Sequence, residues 1–248
     1  MRLIMRARNG GLRPRAERTE RSMQNHETRR RREPRWHASV AVVAALALYI
    51  TLPPRLIIGP TWLAPLLTLV ILIPLMVLAP RRSQETHRIR FWSIILIAIV
   101  NFFNLASVLL LVAGFFHPEK AKLQSAAMLL RTGLQIWLTN ILVFGLWYWE
   151  LDANGPDARA GAGAAIEARN VDFLFPQMQM AGRDLPCIDA SWKPQFYDYL
   201  YLAFTNSTAF SPTDVMPLSR WAKGLMTVEA MISLITIAIV FSRAVGLL

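Results

Sequence analysis

The sequence predicts an all-α integral membrane protein, a helical bundle of five spans plus a short pore-helix-like element, or six full spans. Apolar residues make up 54% of the 248-residue chain and mean hydropathy is +0.34, more than a soluble domain of this size carries. The apolar residues fall in long runs, and charge is nearly absent from those runs. The formal charge of +11 is local: residues 1–36 hold twelve arginines and four glutamates.

The elements follow in order. Residues 1–36 form a basic arm, poor in large apolar residues, ending in Arg29-Arg30-Arg31-Arg32, and read as disordered. Such an arm stays in the cytoplasm and touches anionic lipid headgroups. Nucleic-acid binding is the other reading of an arginine-rich arm, and no recognition fold accompanies it here. A cleavable signal peptide is not expected, because the charged arm is too long and no apolar core follows promptly. Residues 37–149 read as a four-span membrane bundle. Its first segment, Ala38 to Leu52, stops at Pro53-Pro54 and is short of the roughly 20 residues a span needs. Thr61 to Ala79 tolerates Pro65 and Pro74. Arg81 to Arg90 is a basic loop. Phe91 to Phe116 has no charge, and Ser125 to Trp149 ends in Trp147-Tyr148-Trp149, an interfacial aromatic cluster. Residues 150–193 read as an extramembrane linker, flexible in its Ala/Gly-rich first half. Residues 194–248 hold a short helix, Gln195 to Thr208, and the last span, Leu218 to Val245.

That last section resembles the pore module of two-transmembrane potassium channels. On the pattern Phe-Thr-Thr-x-Thr-Thr-Val-Gly-Tyr-Gly-Asp-x-x-Pro, residues Phe204, Thr205, Thr208, Asp214 and Pro217 match. The resemblance implies a pore helix, a filter and an inner helix, with Asp214 at the mouth, and a homo-oligomer, a tetramer if channel-like. The filter itself departs from the pattern. Ala209-Phe210-Ser211-Pro212-Thr213 stands where Thr-Val-Gly-Tyr-Gly is expected. A potassium filter aims consecutive carbonyls at one axis, and glycine supplies the torsions for that. Pro212 fixes its own φ and biases Ser211 toward extended angles, so no potassium-type filter is expected.

Topology is open between two arrangements. Six spans with both termini inside divide the basic residues 21 to 6 in favour of the cytoplasm. A channel-like arrangement dips residues 195–213 in from the outer face, requires the first short segment not to cross, and divides them 17 to 10. Charge favours six spans; the acidic linker is a weaker hint for the outside.

Polar residues within spans are the candidate site. Asn101, Asn104 and Ser107 share one face of the third span, and Gln135, Thr139 and Asn140 share a region of the fourth. These faces are expected to meet as helix–helix contacts, in preference to a transport site. Arg131 and Glu229 are intramembrane charges and candidates for a pair, although Arg131 is near enough to its helix end to snorkel. Thr205, Asn206, Ser207 and Thr208 either line a wet vestibule or cap their helix. The four histidines and single Cys187 have no metal-binding or catalytic spacing, so neither an enzyme nor a cofactor is expected. The leading function is an ion-channel-like or permeation role at the inner membrane. A non-conducting scaffold or partner-binding subunit, and a small secondary transporter, are the alternatives.

Overall fold

The computed structural model describes residues 35–78, 86–116, 125–161, 171–180, 192–209 and 214–246. Residues 1–34 of the basic arm, Cys187, and Phe210, Ser211, Pro212 and Thr213 of the filter position lie outside the described residues.

Apolar composition and end signals decide where each helix begins and stops. Helix α1, Trp36–Ile50, ends where Thr51 turns its hydroxyl back to the Ala47 and Leu48 carbonyls, just before Pro53 and Pro54 forbid continuation. A single 3₁₀ turn, Pro54–Leu56, leads to Gly59, whose φ of +73° admits the left-handed turn before α2, Leu63–Leu78. Helix α3, Thr86–Phe116, has 31 residues. It starts earlier than expected, and residues 86–90 of the anticipated basic loop are its first turn. Helix α4, Ala126–Leu151, is N-capped by Ser125, which accepts from the Met128 amide at 3.2 Å. Helix α8, Arg220–Val245, is capped the same way by Ser219 from the Ala222 amide.

Among the described residues three helices are long and apolar enough to cross a membrane, His87–Phe116, Ala126–Asn154 and Arg220–Val245, and α1 and α2 are shorter apolar helices. The all-α expectation therefore holds, and three of the expected spans meet the length for a crossing.

The linker is more structured than its composition suggests. After α4 come a 3₁₀ turn, Asp152–Asn154, and helix α5, Pro156–Gly161, where a flexible stretch was expected. Helix α6, Pro176–Met180, follows strand β1, Phe173–Leu174. Helix α7, Phe196–Ala209, precedes strand β2, Met216–Pro217. The strands pair antiparallel, Phe173 opposite Pro217 and Leu174 opposite Met216.

Helix α4 is the hub. It contacts α1, α3, α7 and α8, and Ile136, Val143, Phe144 and, nearer its C-terminal end, Tyr148 are fully buried. Two glycines set how closely its neighbours approach. A Cβ at Gly145 would lie 3.2 Å from the Leu200 Cα of α7, and one at Gly133 would overlap the Val240 side chain of α8, 2.9 Å from Cγ1. In lipid, where apolar burial between helices gains little, such close packing is the main attraction.

The two ends of the bundle differ chemically. Arg35 at the start of α1, Ser93 near the start of α3, and Glu150 at the end of α4 meet at one end. At the other, Thr51 bonds to Gln135 near the start of α4, and Arg243 near the end of α8 donates to the Gly114 carbonyl of α3 at 2.8 Å. Helix α7 starts at the Arg35 end, where Tyr199 bonds to Asp152. Strand β2, which follows α7, returns to that same end, because its partner strand is also tied to Asp152.

Gly133→Val is expected to lower stability by about 1–3 kcal/mol through overpacking, since Val240 is β-branched and cannot swing aside. Val240→Ala in the Gly133→Ala background should recover most of the loss caused by Gly133→Ala alone. Unfolding of the purified variants in detergent measures both.

Candidate functional site

A carboxylate placed in an apolar bundle must find donors, because water is absent and an unpartnered charge is costly. Glu229 sits on α8 with no exposed surface, and it draws donors from two other helices. Tyr148 of α4 donates its hydroxyl to Oε2. Asn206 of α7 donates from Nδ2 to Oε2 at 2.7 Å, and Ser207 donates to Oε1 at 2.9 Å. Asn206 also donates to the Met226 carbonyl at 2.9 Å, which fixes its amide against α8.

The network continues along the bundle. Asn140 of α4 donates to the Glu229 carbonyl at 3.3 Å and to Ser233 Oγ at 3.0 Å. Asn104 of α3 donates to Asn140 Oδ1 at 3.5 Å. Ser107, one turn on, donates to the Leu56 carbonyl at 2.8 Å and so pins the turn after α1. Polar groups of α3, α4, α7 and α8, joined at the Glu229 main-chain carbonyl, thus run in one line through an otherwise apolar interior.

The expected meeting of the two asparagine faces is present at Asn104 and Asn140. The other members diverge. Gln135 bonds to Thr51 rather than to α3, Thr139 returns its hydroxyl to the Gln135 carbonyl, and the Asn101 Oδ1 atom is buried without a hydrogen bond. The anticipated pairing of Arg131 with Glu229 is corrected: Arg131 is exposed, and the partners of Glu229 are all uncharged. The four polar residues ending α7 divide between the two roles expected of them. Thr205 and Thr208 bond to carbonyls of their own helix, while Asn206 and Ser207 are buried and face Glu229. Ala209 is the last residue of α7, and Asp214 is exposed just before β2.

A second polar cluster lies at the Arg35 end. Asp152 is fully buried and accepts from the Asp172 amide at 2.7 Å, the Phe173 amide at 3.3 Å and the Tyr199 hydroxyl. Arg159 donates to the Asp152 carbonyl at 2.6 Å and lies over the Tyr199 ring, 5.0 Å from its centroid. Arg35 pairs with Asp157 at 2.8 Å and approaches Glu150 at 3.9 Å. Asp152, Tyr148, Tyr199 and Ser233 were missed in the sequence. Tyr148 was legible only as part of an interfacial aromatic cluster, and Asp152 only as a linker acid.

Among the described residues no three His, Cys, Asp or Glu side chains converge to hold a metal ion. The oxygens that do converge, from Glu229, Tyr148 and Ser207, are hard and neutral apart from one carboxylate. The chain matches no protein-family model, no curated protein and no solved structure, so the chemistry of this site is read from its own geometry.

Tyr148→Phe is expected to lower stability by about 1–3 kcal/mol, the cost of leaving a buried hydrogen-bonding group without its partner. In a Glu229→Gln background the same change should cost less, by about 0.5–3 kcal/mol, the coupling of groups in one network. A double-mutant cycle of unfolding free energies measures it, and additive effects would contradict the bond.

Proposed function

We propose that this chain is a multi-pass inner-membrane permeation protein that moves a proton or small cation past Glu229, without a potassium-type filter. The observation that carries the reading is Glu229 itself. It lies about 13 Å along α8 from Arg220, by the rise of a helix, it is fully buried, and it faces three neutral donors. An intramembrane acid with no cationic partner invites a mobile positive charge.

The proposed topology has five crossings and one re-entrant helix. What supports it is that α7 begins and β2 ends beside Asp152, so the intervening segment turns back. With α1 crossing, the Arg35 end receives the basic residues of segments 1–36, 81–90 and 150–193 together with Arg220 and Lys223, and the split becomes 22 to 5. That division is steeper than either arrangement expected from the sequence, and it makes the Arg35 end cytoplasmic. Helix α7 then enters from the cytoplasmic face, opposite to the arrangement that the potassium-channel resemblance implies. The resemblance therefore serves as a guide to the helix–loop–helix scaffold and not to the ion path.

A non-conducting scaffold is the second reading, favoured by the completeness of the network: both carboxylate oxygens of Glu229 are bonded and no surface is exposed. Flux separates the two. Reconstituted protein should carry protons or sodium, Glu229→Gln should abolish the flux, and Asp214→Asn should reduce cation preference at the cytoplasmic mouth. Potassium and sodium should pass at similar rates. Absence of any flux from folded protein would leave the scaffold.

Cysteine labelling tests the topology independently. With Cys187 replaced, single cysteines at Ser83, Ala162 and Ser219 should all resist an impermeant reagent applied to intact cells, and all react once the membrane is opened. Labelling of any one from outside would break the five-crossing arrangement.

A further inference from the structure

We propose that the linker strand Phe173–Leu174 is a plug that closes the Glu229 site toward the Arg35 end, with Asp152 as its latch. The inference takes Glu229 as the place of passage and adds how access to it is controlled.

The position of Phe173 carries the inference. The residue is 1% exposed, and its ring lies tilted against the Tyr148 ring with centroids 5.0 Å apart; the Tyr148 hydroxyl is bonded to Glu229. The same ring meets Tyr199 edge to face at 6.4 Å. Going from Glu229 toward the Arg35 end, the order is therefore Tyr148, then Phe173, then the Asp152 cluster. A linker residue thus packs directly against the ring whose hydroxyl holds Glu229.

The fastening is polar and small, as a movable element requires. Asp152 accepts from the backbone amides of Asp172 and Phe173, so one carboxylate holds the strand by its main chain. The Tyr199 hydroxyl bonds to the same carboxylate and ties the latch to α7. The turn that presents Asp152 carries φ values of +48° at Ala153, +64° at Asn154 and +96° at Gly155. Two of these three are non-glycine residues in the left-handed region, strain of the kind that collects at switch elements. The ladder to β2 spans only two residues on each strand, with one further bond from the Leu218 amide to the Asp172 carbonyl at 2.8 Å. A pairing this short is marginal without other support. Because β2 leads directly into α8, the strand that covers Glu229 is joined to the helix that bears it.

Two discrete arrangements follow. With Asp152 bonded to the strand, the aromatic layer is shut and Glu229 is dry. With the strand released, Phe173 leaves the Tyr148 ring and Glu229 opens to water from the cytoplasmic end of the proposed topology.

A water-soluble carbodiimide with glycine ethyl ester, applied to the purified full-length chain in detergent, tests the plug without any transport measurement. Mass spectrometry reads the adduct on Glu229, with exposed Asp214 as internal reference. Wild-type protein should label Glu229 slowly. Phe173→Ala should accelerate that labelling at least tenfold (Asp214 unchanged), and Asp152→Asn should accelerate it in the same direction. With Cys187→Ser, the pair Leu174→Cys and Met216→Cys sits at opposed positions. Its oxidation should abolish labelling, and reduction should restore the wild-type rate. A folded Phe173→Ala protein whose Glu229 stays as protected as in wild type would overturn the plug. So would labelling that continues with the strands cross-linked. If the labelling pattern holds and liposomes show no flux, the plug stands and the permeation reading falls.

Discussion

The rest of the bundle depends on how a carboxylate is kept in its apolar interior. Glu229 has no exposed surface, and hydrocarbon provides nothing to solvate it. The energy of leaving such a group unpartnered exceeds any single packing contact. Helices α4 and α7 must therefore bring Tyr148, Asn206 and Ser207 to one point on α8, and that requirement fixes the rotation and depth of all three. Gly133 and Gly145 make the approach possible by removing side-chain volume from α4 where Val240 and Leu200 arrive. Asn140 and Asn104 extend the same logic to α3, so four helices share one polar line.

A second buried carboxylate organises the cytoplasmic end of the proposed topology. Asp152 gathers the start of the linker, the amides before β1 and the Tyr199 hydroxyl of α7. The two acids stand on either side of the aromatic group formed by Tyr148, Phe173 and Tyr199. Glu229 holds helices together within the bundle; Asp152 holds a connecting segment against its end. The difference matters for function. A contact between long helices resists change because it is shared among many packed side chains, whereas a strand held by two amides and a two-residue ladder can let go locally.

Much of the architecture was legible because a bilayer imposes a coarse code. The positions of α1 to α4 and α8 follow from apolar runs bounded by Pro53-Pro54, Ser125 and Leu218, and helix ends shift from the expected ones by a few residues. The asparagines at 104 and 140 were expected to meet, since polar groups in apolar helices seek each other. The pairing of Arg131 with Glu229 failed because charge complementarity says nothing about depth: Arg131 is exposed near the far end of α4, while Tyr148 is a turn from its other end. Asp152 was hidden in a stretch of Asp, Asn, Gly and Pro that reads as a flexible turn, and the same residues here build a tight left-handed turn that points a carboxylate inward.

The sequence by itself determined that the chain is helical and apolar, where its long helices lie, and which polar residues are expensive enough to need partners. Those properties are local: hydropathy, proline and capping residues act within a few positions of themselves. Only the tertiary structure decided which partners meet. It joined Glu229 to Tyr148, Asn206 and Ser207 across 81, 23 and 22 residues of chain, returned the segment after α7 to the end where it began, and laid Phe173 over the site. Each of these is a relation between faces of separate helices. Such relations are fixed by the simultaneous need to satisfy buried donors and acceptors and to fill space, which no stretch of sequence records alone.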